Sequence, residues 1–518
     1  MKRICTLVLA AGLLFGAATG ASAIDFKAKG QWLMGFGVGD ANPIKNFRGA
    51  DGSKTAGKSS KFNSDDDFQA AQRLRLQLDA VASEALSGTV YFEIGTSQWG
   101  KASNGAALGA DGTNQIKLKR AYLDWIVPDT DAKVRMGIQG VALPNVAGGS
   151  AVLDADAAGI TVNYKFNENA GLTALWARPL NDNYADDNHG GKHANYLDNM
   201  DLFSLMVPLT FDGVNVTPWA MYGMVGKNAL KSKWNTKDSA YDGVGTADGN
   251  LHYSLRPYPG IGVTHSGIGS TGNDYGNAFW AGLPIAVTMF DPLNIELDIN
   301  YGYMQGMGRF DATKNGNVTK RSSTERQGWL AKALVEYKLD WGVPGIFGWY
   351  ASGDDSNPKN GSERMPSVAA SGNFTSFIGD GNMGWIRQDY SLTYDGTWGI
   401  GAQIRDMSFI EDLSHTFRVA YWGGTNSPTM AKYMDSAYAW SDGWGNNTGP
   451  YLTTNDGMLE FNLVNSYQIY ENLEMNLELD YVANFMDNST WKKANNGNGG
   501  SFDKQDMWKA QVVFAYSF

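Results

Sequence analysis

Cysteine is almost absent from this chain of 518 residues, since the single cysteine, Cys5, lies within the first 23 residues. If those residues are removed, no thiol remains, which excludes disulfide bonds and cysteine-based metal sites. After residue 23 the sequence also lacks any apolar run of the roughly 20 residues that a membrane-spanning helix needs. The composition therefore argues against a disulfide-stapled secreted domain and against a bundle of membrane helices.

Positive charge is also scarce. The chain has 42 Lys and Arg against 53 Asp and Glu. Without residues 1–23, which contain Lys2 and Arg3, 40 cations face 53 anions and the net charge is −13. A nucleic-acid partner would need clustered cations to meet its phosphates, so none is expected.

The first 23 residues predict export. Two cations precede an apolar run, and the run gives way to the small residues Ala21-Ser22-Ala23, which match an A-x-A cleavage site. An uncleaved anchor helix is the alternative, but the run is short and is interrupted by Gly12 and Gly16. We expect residues 1–23 to be a cleaved signal peptide and residues 24–518 to form one domain.

Apolar residues recur with a period of two in the rest of the chain, and this pattern predicts strands with one apolar and one polar face. In residues 72–83, Leu74, Leu76 and Leu78 alternate with polar side chains, and residues 294–303 and 473–485 behave alike. The strands of a soluble β-sandwich would also alternate apolar and polar residues. Two features favour a transmembrane β-barrel instead: the strands have about ten or more residues, and short turns alternate with long polar loops.

These features predict an all-β fold, a transmembrane antiparallel barrel of about 18 strands, with 16 as the alternative. The predicted strands are 25–39, 67–83, 88–98, 115–127, 132–141, 158–166, 171–179, 200–212, 214–226, 276–290, 294–306, 326–339, 343–353, 396–409, 414–423, 457–469, 473–485 and 506–518. An even number of strands puts both termini on the side of the short, periplasmic turns. The long loops would then be extracellular.

The last strand predicts how the barrel closes. In it Phe514, Tyr516 and Phe518 occupy alternate positions and are expected to face lipid. An open sheet edge in hydrocarbon would leave backbone groups without partners, at a cost of several kcal/mol each. The strand at 506–518 should therefore pair with the strand at 25–39.

An export signal followed by a strand, and a final "FAYSF" segment with alternate aromatics, resemble Gram-negative outer-membrane trimeric porins. The chain is most similar to the outer membrane homotrimeric porin family of sulfate-reducing bacteria. This resemblance implies an outer-membrane location among lipid and lipopolysaccharide, and a homotrimer. It also implies that the barrel-assembly machinery reads the terminal segment during biogenesis.

Parity along the strands predicts a basic pore lining. Arg73, Arg75, Arg120, Arg135 and Lys165 share the polar face of their strands. An arginine turned towards lipid at the bilayer midplane would cost roughly 2–4 kcal/mol. These five cations are therefore expected to line the pore.

The third long loop, residues 142–157, is expected to narrow the pore, because the corresponding loop folds into the barrel in the porins that this chain resembles. It carries Asp154 and Asp156, which would face the basic cluster and set up a field across the channel. The alternative is an exposed loop turn whose aspartates have no such role, with the arginines in salt bridges. The loop lacks the aromatic and glutamate residues often found in that family.

The sequence motifs give little support for enzymatic activity. "DADAAG" at 154–159 has the first spacing of a calcium loop but lacks its twelfth-position glutamate, and no Ser/His/Asp set can be assembled from spacing. We expect no cofactor, no metal and no enzyme. The predicted function is passive diffusion of small hydrophilic solutes and ions. The alternative is a channel specific for a sugar or an anion, for which Tyr91, Tyr122 and Trp422 would supply inward aromatics.

Overall fold

The structure is a computed structural model. It describes residues 24–40, 44–48, 67–102, 107–108, 116–181, 197, 199–226, 229, 255, 274–306, 309–314, 317–371, 374–375, 394–433, 451–492 and 501–518. The predicted signal peptide, residues 1–23, lies outside this range and stays a prediction.

The described residues are almost entirely β-strand. The strands are β1 (Asp25–Asp40), β2 (Ile44–Arg48), β3 (Asp67–Ser83), β4 (Leu86–Gln98), β5 (Ile116–Ile126), β6 (Ala132–Ala142), β7 (Asp154–Lys165), β8 (Gly171–Asn181), β9 (Asn199–Met206), β10 (Leu209–Phe211), β11 (Val214–Val216), β12 (Trp219–Gly226), β13 (Tyr275–Phe290), β14 (Leu293–Met304), β15 (Arg309–Lys314), β16 (Asn317–Ser323), β17 (Arg326–Tyr337), β18 (Val343–Ala351), β19 (Thr397–Ile410), β20 (Leu413–Gly424), β21 (Gly457–Tyr470), β22 (Leu473–Asn484), β23 (Ser501–Lys504) and β24 (Met507–Ser517). A 3-10 helix at Pro428–Tyr433 and one α-helical turn at Asn488–Trp491 lie between strands. No helix in the described ranges is long and apolar enough to cross a membrane.

Twenty of these strands form one antiparallel sheet that closes on itself. β10 continues β9 and β11 continues β12, each after a short break at Pro208 or Pro218, so the ring has 18 positions. Proline interrupts a strand because it has no N–H to donate. The predicted 18-stranded barrel is confirmed, and the alternative of 16 strands is excluded.

The seam between β1 and β24 closes the ring, as the sequence predicts. Trp32 pairs with Tyr516, and the backbone of Gly30 exchanges two hydrogen bonds with Phe518, at 2.7 and 3.0 Å. The ring of Phe518 lies where a side chain on residue 30 would be, so the close approach requires glycine there. Residues 31–40 thus pair with residues 508–517, which removes the open edge.

The two faces of the sheet differ in the way that the period of two predicts. On β14 the outward Leu297 and Ile299 are 40% and 53% exposed, whereas the inward Asp298 and Asn300 are 0% and 4% exposed. The outer surface carries large apolar side chains on nearly every strand, including the stacked pair Trp329 and Tyr350. An outer face of this kind fits a surrounding of hydrocarbon.

The long loops carry structure that the sequence did not predict. β2 pairs with β23, and β15 pairs with β16, in two small sheets outside the barrel wall. Other loop segments turn inward and pack on the inner faces of β8 to β24, where they form one buried apolar cluster. Trp280, Trp422 and Trp491 are among its fully buried members.

Candidate pore constriction

The loop between β6 and β7, residues 143–153, enters the barrel. Its backbone contacts strands three and five positions beyond β7 around the ring: the indole of Trp219 on β12 donates to the carbonyl of Pro144 at 3.1 Å, and the carboxylate of Asp298 on β14 accepts from the Val146 N–H at 3.2 Å. Such contacts between distant strands are made only through the interior. The expectation of an inward-folded third loop is therefore confirmed.

A buried ion pair holds the far end of this loop. Asp298 on β14 and Lys332 on β17 are 3.3 Å apart, and both side chains are 0% exposed. Lys332 also donates to the carbonyl of Gly149, and the Tyr394 hydroxyl donates to Gly148 at 2.5 Å. The loop backbone thus supplies further hydrogen bonds to two charges that are buried together.

A second loop, residues 352–371 after β18, packs against the first. The Val368 N–H donates to Val152 at 2.9 Å, and the Asp154 N–H donates to Ala369 at 2.8 Å. The two segments also meet through a bridge between Ser150 and Ser371. The constriction is therefore built from two loops, whereas the sequence indicated one.

Charged groups clamp this second loop to the wall. Asp395 accepts from both Arg326 and Arg364 at 2.6 Å, and Arg326 also donates to the backbone carbonyls of residues 364 and 365. Nearby, the buried carboxylate of Asp354 accepts from the Ser362 hydroxyl at 2.5 Å. Burial raises the pKa of Asp354 above its usual value.

Glu363 in the same loop has a pKa near neutrality. Its carboxylate accepts from the Asn360 side chain at 2.8 Å and from the Asp355 N–H at 3.0 Å. Burial raises its pKa to about 7, and the charges of Asp354 and Asp355 add to the rise. This loop therefore carries a group that changes charge around physiological pH.

The wall formed by β3 to β7 has a polar inner face with an excess of cations. Arg75 pairs with Glu93 on the next strand at 2.8 Å. Arg135 binds Asp124 through two nitrogens, at 2.6 and 2.8 Å, and lies over the Tyr122 ring at 4.1 Å. By register, the inward cations Arg73, Arg75, Lys117, Lys133, Arg135 and Lys165 outnumber the inward carboxylates Asp79, Glu93 and Asp124.

All five predicted pore-lining cations take inward positions by register. Arg73, Arg75 and Arg135 lie on this inner face, and Lys165 lies at the short-turn end of β7. Arg120 pairs by register with the inward Tyr91 and its guanidinium lies 5.8 Å from that ring, while its Nε donates to Asp156 at 2.6 Å. A bulge at Lys119 shifts the register of β5 and breaks the period of two.

Asp154 and Asp156 do not lie in the constriction loop. Strand β7 begins at Asp154, four residues earlier than predicted, and both aspartates pair with residues of β6. Asp156 pairs with Gly140, which shares the outward face of Ile138. The two aspartates thus belong to strand β7, and their role opposite the basic cluster stays a prediction.

The opposite wall, β14 to β24, carries an excess of carboxylates. Glu336 accepts from Arg405 at 2.7 Å and from Gln403 at 3.0 Å. Lys509 lies 3.2 Å from Asp480. By register, the inward carboxylates Glu296, Asp298, Glu336, Glu460, Glu474, Glu478 and Asp480 outnumber Arg326, Lys332, Arg405, Arg418 and Lys509.

Opposite signs therefore face each other across the interior, but both are carried by the wall. The sequence placed Asp298 and Asp480 on polar strand faces without giving them a role. Nothing in their local sequence shows that a loop from β6 covers one of them. Trp422, expected to line the lumen, is 1% exposed and belongs to the apolar cluster.

No metal site emerges in the described ranges, where no group of three or more His, Cys, Asp or Glu could hold an ion.

No family model matches the chain, and no curated protein matches it. Among solved structures, Pseudomonas aeruginosa OpdQ is similar, with 11% identity and a TM-score of 0.47 over 95% of this chain and 98% of that chain. Pseudomonas aeruginosa OpdO has 11% identity and a TM-score of 0.48, over 95% and 97%. The outer membrane protein opdK of the same organism has 10% identity and a TM-score of 0.47, over 95% and 98%. The hydrogen-bond register of the sheet itself defines the 18-position barrel.

Proposed function

We propose that this chain forms a water-filled channel of the porin type, through which small hydrophilic solutes and ions diffuse passively across the outer membrane. One observation carries the proposal: the closed 18-position ring is apolar on its outer face and charged on its inner face. Barrels much larger than eight strands have an interior wider than their own side chains fill. Such a ring in a membrane encloses a polar passage.

The two inward loops set the size of this passage. Residues 143–153 and 352–371 pack on the β14 to β24 side, which leaves the basic β3 to β7 wall to line the passage. A solute that passes this wall experiences the field of its cations, which orients the solute's dipole. Passage should therefore depend on size and on charge.

A substrate-specific channel is the second candidate. The observation that favours it is the doubled constriction, because two mutually hydrogen-bonded loops hold a narrower and better-defined opening than one loop does. A specific channel would show a current that saturates with solute concentration. A general channel would show conductance linear in salt.

The remaining expectations belong to the same proposal. The chain would reach the outer membrane after cleavage of residues 1–23, lie among lipid and lipopolysaccharide, and assemble as a homotrimer. The alternate aromatics Phe514, Tyr516 and Phe518 would be read by the barrel-assembly machinery. We propose no enzymatic activity and no cofactor.

Planar-bilayer recording tests this function directly. Purified protein should insert in discrete, equal conductance steps, and the same sample denatured by heat should give none. Adding neutral sugars of increasing size should lower the current until the sugars no longer enter. Absence of steps from folded, membrane-inserted protein would overturn the proposal, as would hydrolysis of a lipid or peptide substrate without conductance.

A further inference from the structure

Two aromatic residues of β18 lie over glycines of the neighbouring strand, on the inner face of the barrel. Phe347 pairs by register with Gly401, and Trp349 pairs with Gly399. Side-chain atoms of Phe347 and Trp349 lie only 2.4 and 2.3 Å from the points that a Cβ on these glycines would occupy. Because glycine leaves this space open, both rings lean against the backbone of β19 and form an apolar layer on the wall.

Further rings build on this layer towards the barrel interior. The ring of Phe374, which lies between the second loop and β19, stacks on Phe347 with 4.8 Å between the ring centroids and 17° between the planes. Tyr394 closes the side of the group, edge-on to Trp349 at 5.6 Å and to Phe374 at 6.3 Å. These four residues, Phe347, Trp349, Phe374 and Tyr394, form what we call the aromatic stack.

The tip of the loop at 143–153 rests on the aromatic stack. At Gly148, the position of an added Cβ would lie 2.3 Å from the Tyr394 hydroxyl and 2.9 Å from the Phe374 ring. The same hydroxyl donates to the Gly148 carbonyl at 2.5 Å. Gly148 also has a φ of 61°, in the left-handed region that favours glycine. The contact therefore requires glycine at the tip, both for space and for backbone conformation.

The aromatic stack is dry and held together by hydrogen bonds. Its four residues are only 3–7% exposed. The Trp349 indole donates to the Thr397 hydroxyl at 2.9 Å, and this hydroxyl donates to the Tyr394 carbonyl at 2.7 Å. Protein interiors are packed as densely as organic crystals and have low compressibility. A packed layer of this kind keeps the loop tip at a fixed distance from the wall.

We propose that Phe374 and Tyr394 are positioning residues that hold the tip at Gly148 away from the β18 and β19 wall and so determine the largest solute that the passage admits. The Asp298–Lys332 pair attaches the loop, whereas this spacer sets how far the loop reaches. The inference rests on the channel function proposed above. Loss of one ring layer would let the tip move back by up to about 3.5 Å, the separation of carbon atoms in van der Waals contact.

Exclusion of neutral polyethylene glycols of graded size from single channels tests the spacer. Phe374→Ala should raise the exclusion limit, because the tip moves back towards the wall. Gly148→Ala should lower the limit, because the added methyl group meets Tyr394 and Phe374 and pushes the tip into the passage. A merely structural role would loosen the loop in both variants and would shift the limit in the same direction.

Two control variants match these changes. Gly100→Ala adds the same methyl group at a glycine with a φ of 82° and no atom within 4 Å of the added group, so the limit should stay unchanged. Trp491→Ala removes a buried ring that contacts Tyr451 and the Asp456 carboxylate. This second control should lower the unfolding temperature but leave the exclusion limit unchanged.

Opposite shifts of the limit in Phe374→Ala and Gly148→Ala, with both controls unchanged, would support the spacer. An unchanged limit in either variant, shifts in the same direction, or an equal shift in Trp491→Ala would overturn it and leave the channel function standing. If Phe374→Ala does not fold, Phe374→Leu removes the ring but keeps an apolar side chain and gives the same comparison. Absence of conductance from the folded, unaltered protein would instead contradict the channel function.

Discussion

The ion pair Arg75–Glu93 on one side of the barrel and the ion pair Asp298–Lys332 on the other both occupy inward positions of long strands. Their surroundings differ. Arg75 and Glu93 are 27% and 16% exposed, whereas Asp298 and Lys332 are both 0% exposed beneath a loop. The same polar pattern in the sequence thus serves as a wetted lining on one wall and as an anchor for the constriction on the other.

This contrast teaches what an inward charge contributes. A partly solvated pair adds about 0–1 kcal/mol to stability, so its main effect is on the ions that pass it. A buried pair loses its hydration and depends on every partner that it has, including the loop backbone at Val146 and Gly149. Breaking each pair should therefore alter different properties.

The largest effect is expected for Lys332→Met. This change leaves the Asp298 charge buried without its partner, which should cost about 3–5 kcal/mol. The loop at 143–153 should lose its anchor, and the single-channel conductance should rise. Single-channel conductance measures the loss of the loop anchor. The temperature at which the heated protein unfolds, followed on gels, measures the loss of stability. Lys338→Met, at an exposed position just after the same strand, should change neither.

The double variant Asp298→Asn/Lys332→Met separates loop anchoring from charge burial. Stability should recover towards the starting value, because no uncompensated charge remains. Conductance should stay raised, because the donor to Gly149 is still missing. Full recovery of both would contradict the role of Lys332 in holding the loop.

A smaller effect, on selectivity, is expected from Arg73→Gln/Arg75→Gln on the wetted wall. Loss of two cations should shift the reversal potential in a salt gradient towards cation preference, and thermal stability should change little. Lys338→Gln removes a cation at the short-turn rim of the barrel, away from this wall, and should shift the reversal potential less than the double variant does. An unaltered reversal potential in the double variant would show that this wall does not line the ion path.

The smallest effect is expected from Glu363, in the second loop. Its pKa rises from 4.5 to about 7 in the folded loop, so between these values the folded loop binds more protons than the released loop. Stability of the folded loop therefore falls as pH rises through this window. We expect more frequent current fluctuations at pH 8 than at pH 5, and no pH difference in Glu363→Gln. Persistence of the difference in that variant would assign it to another group.

Sequence alone predicted the barrel because the alternation within each strand identifies its apolar and its polar face. The apolar, polar, apolar order of Leu297, Asp298 and Ile299 can be recognised without knowing which strands lie beside it. The prediction of where β7 begins fails for the same reason. The segment "DADAAG" has no large apolar residue at alternate positions, so its sequence indicates a loop and not a strand. The bulge at Lys119 is likewise invisible locally, because it arises from pairing with β4.

The amino-acid sequence by itself determined that the chain forms a closed antiparallel ring, since the period of two and the need to satisfy every backbone group in hydrocarbon are local constraints. Tertiary structure alone decided that Lys332 binds a loop from the other side of the barrel and that Arg120 meets Asp156 two strands away. Such contacts join residues far apart in the chain. They depend on where a loop enters and where a strand bulges, and neither has a signature in the residues concerned.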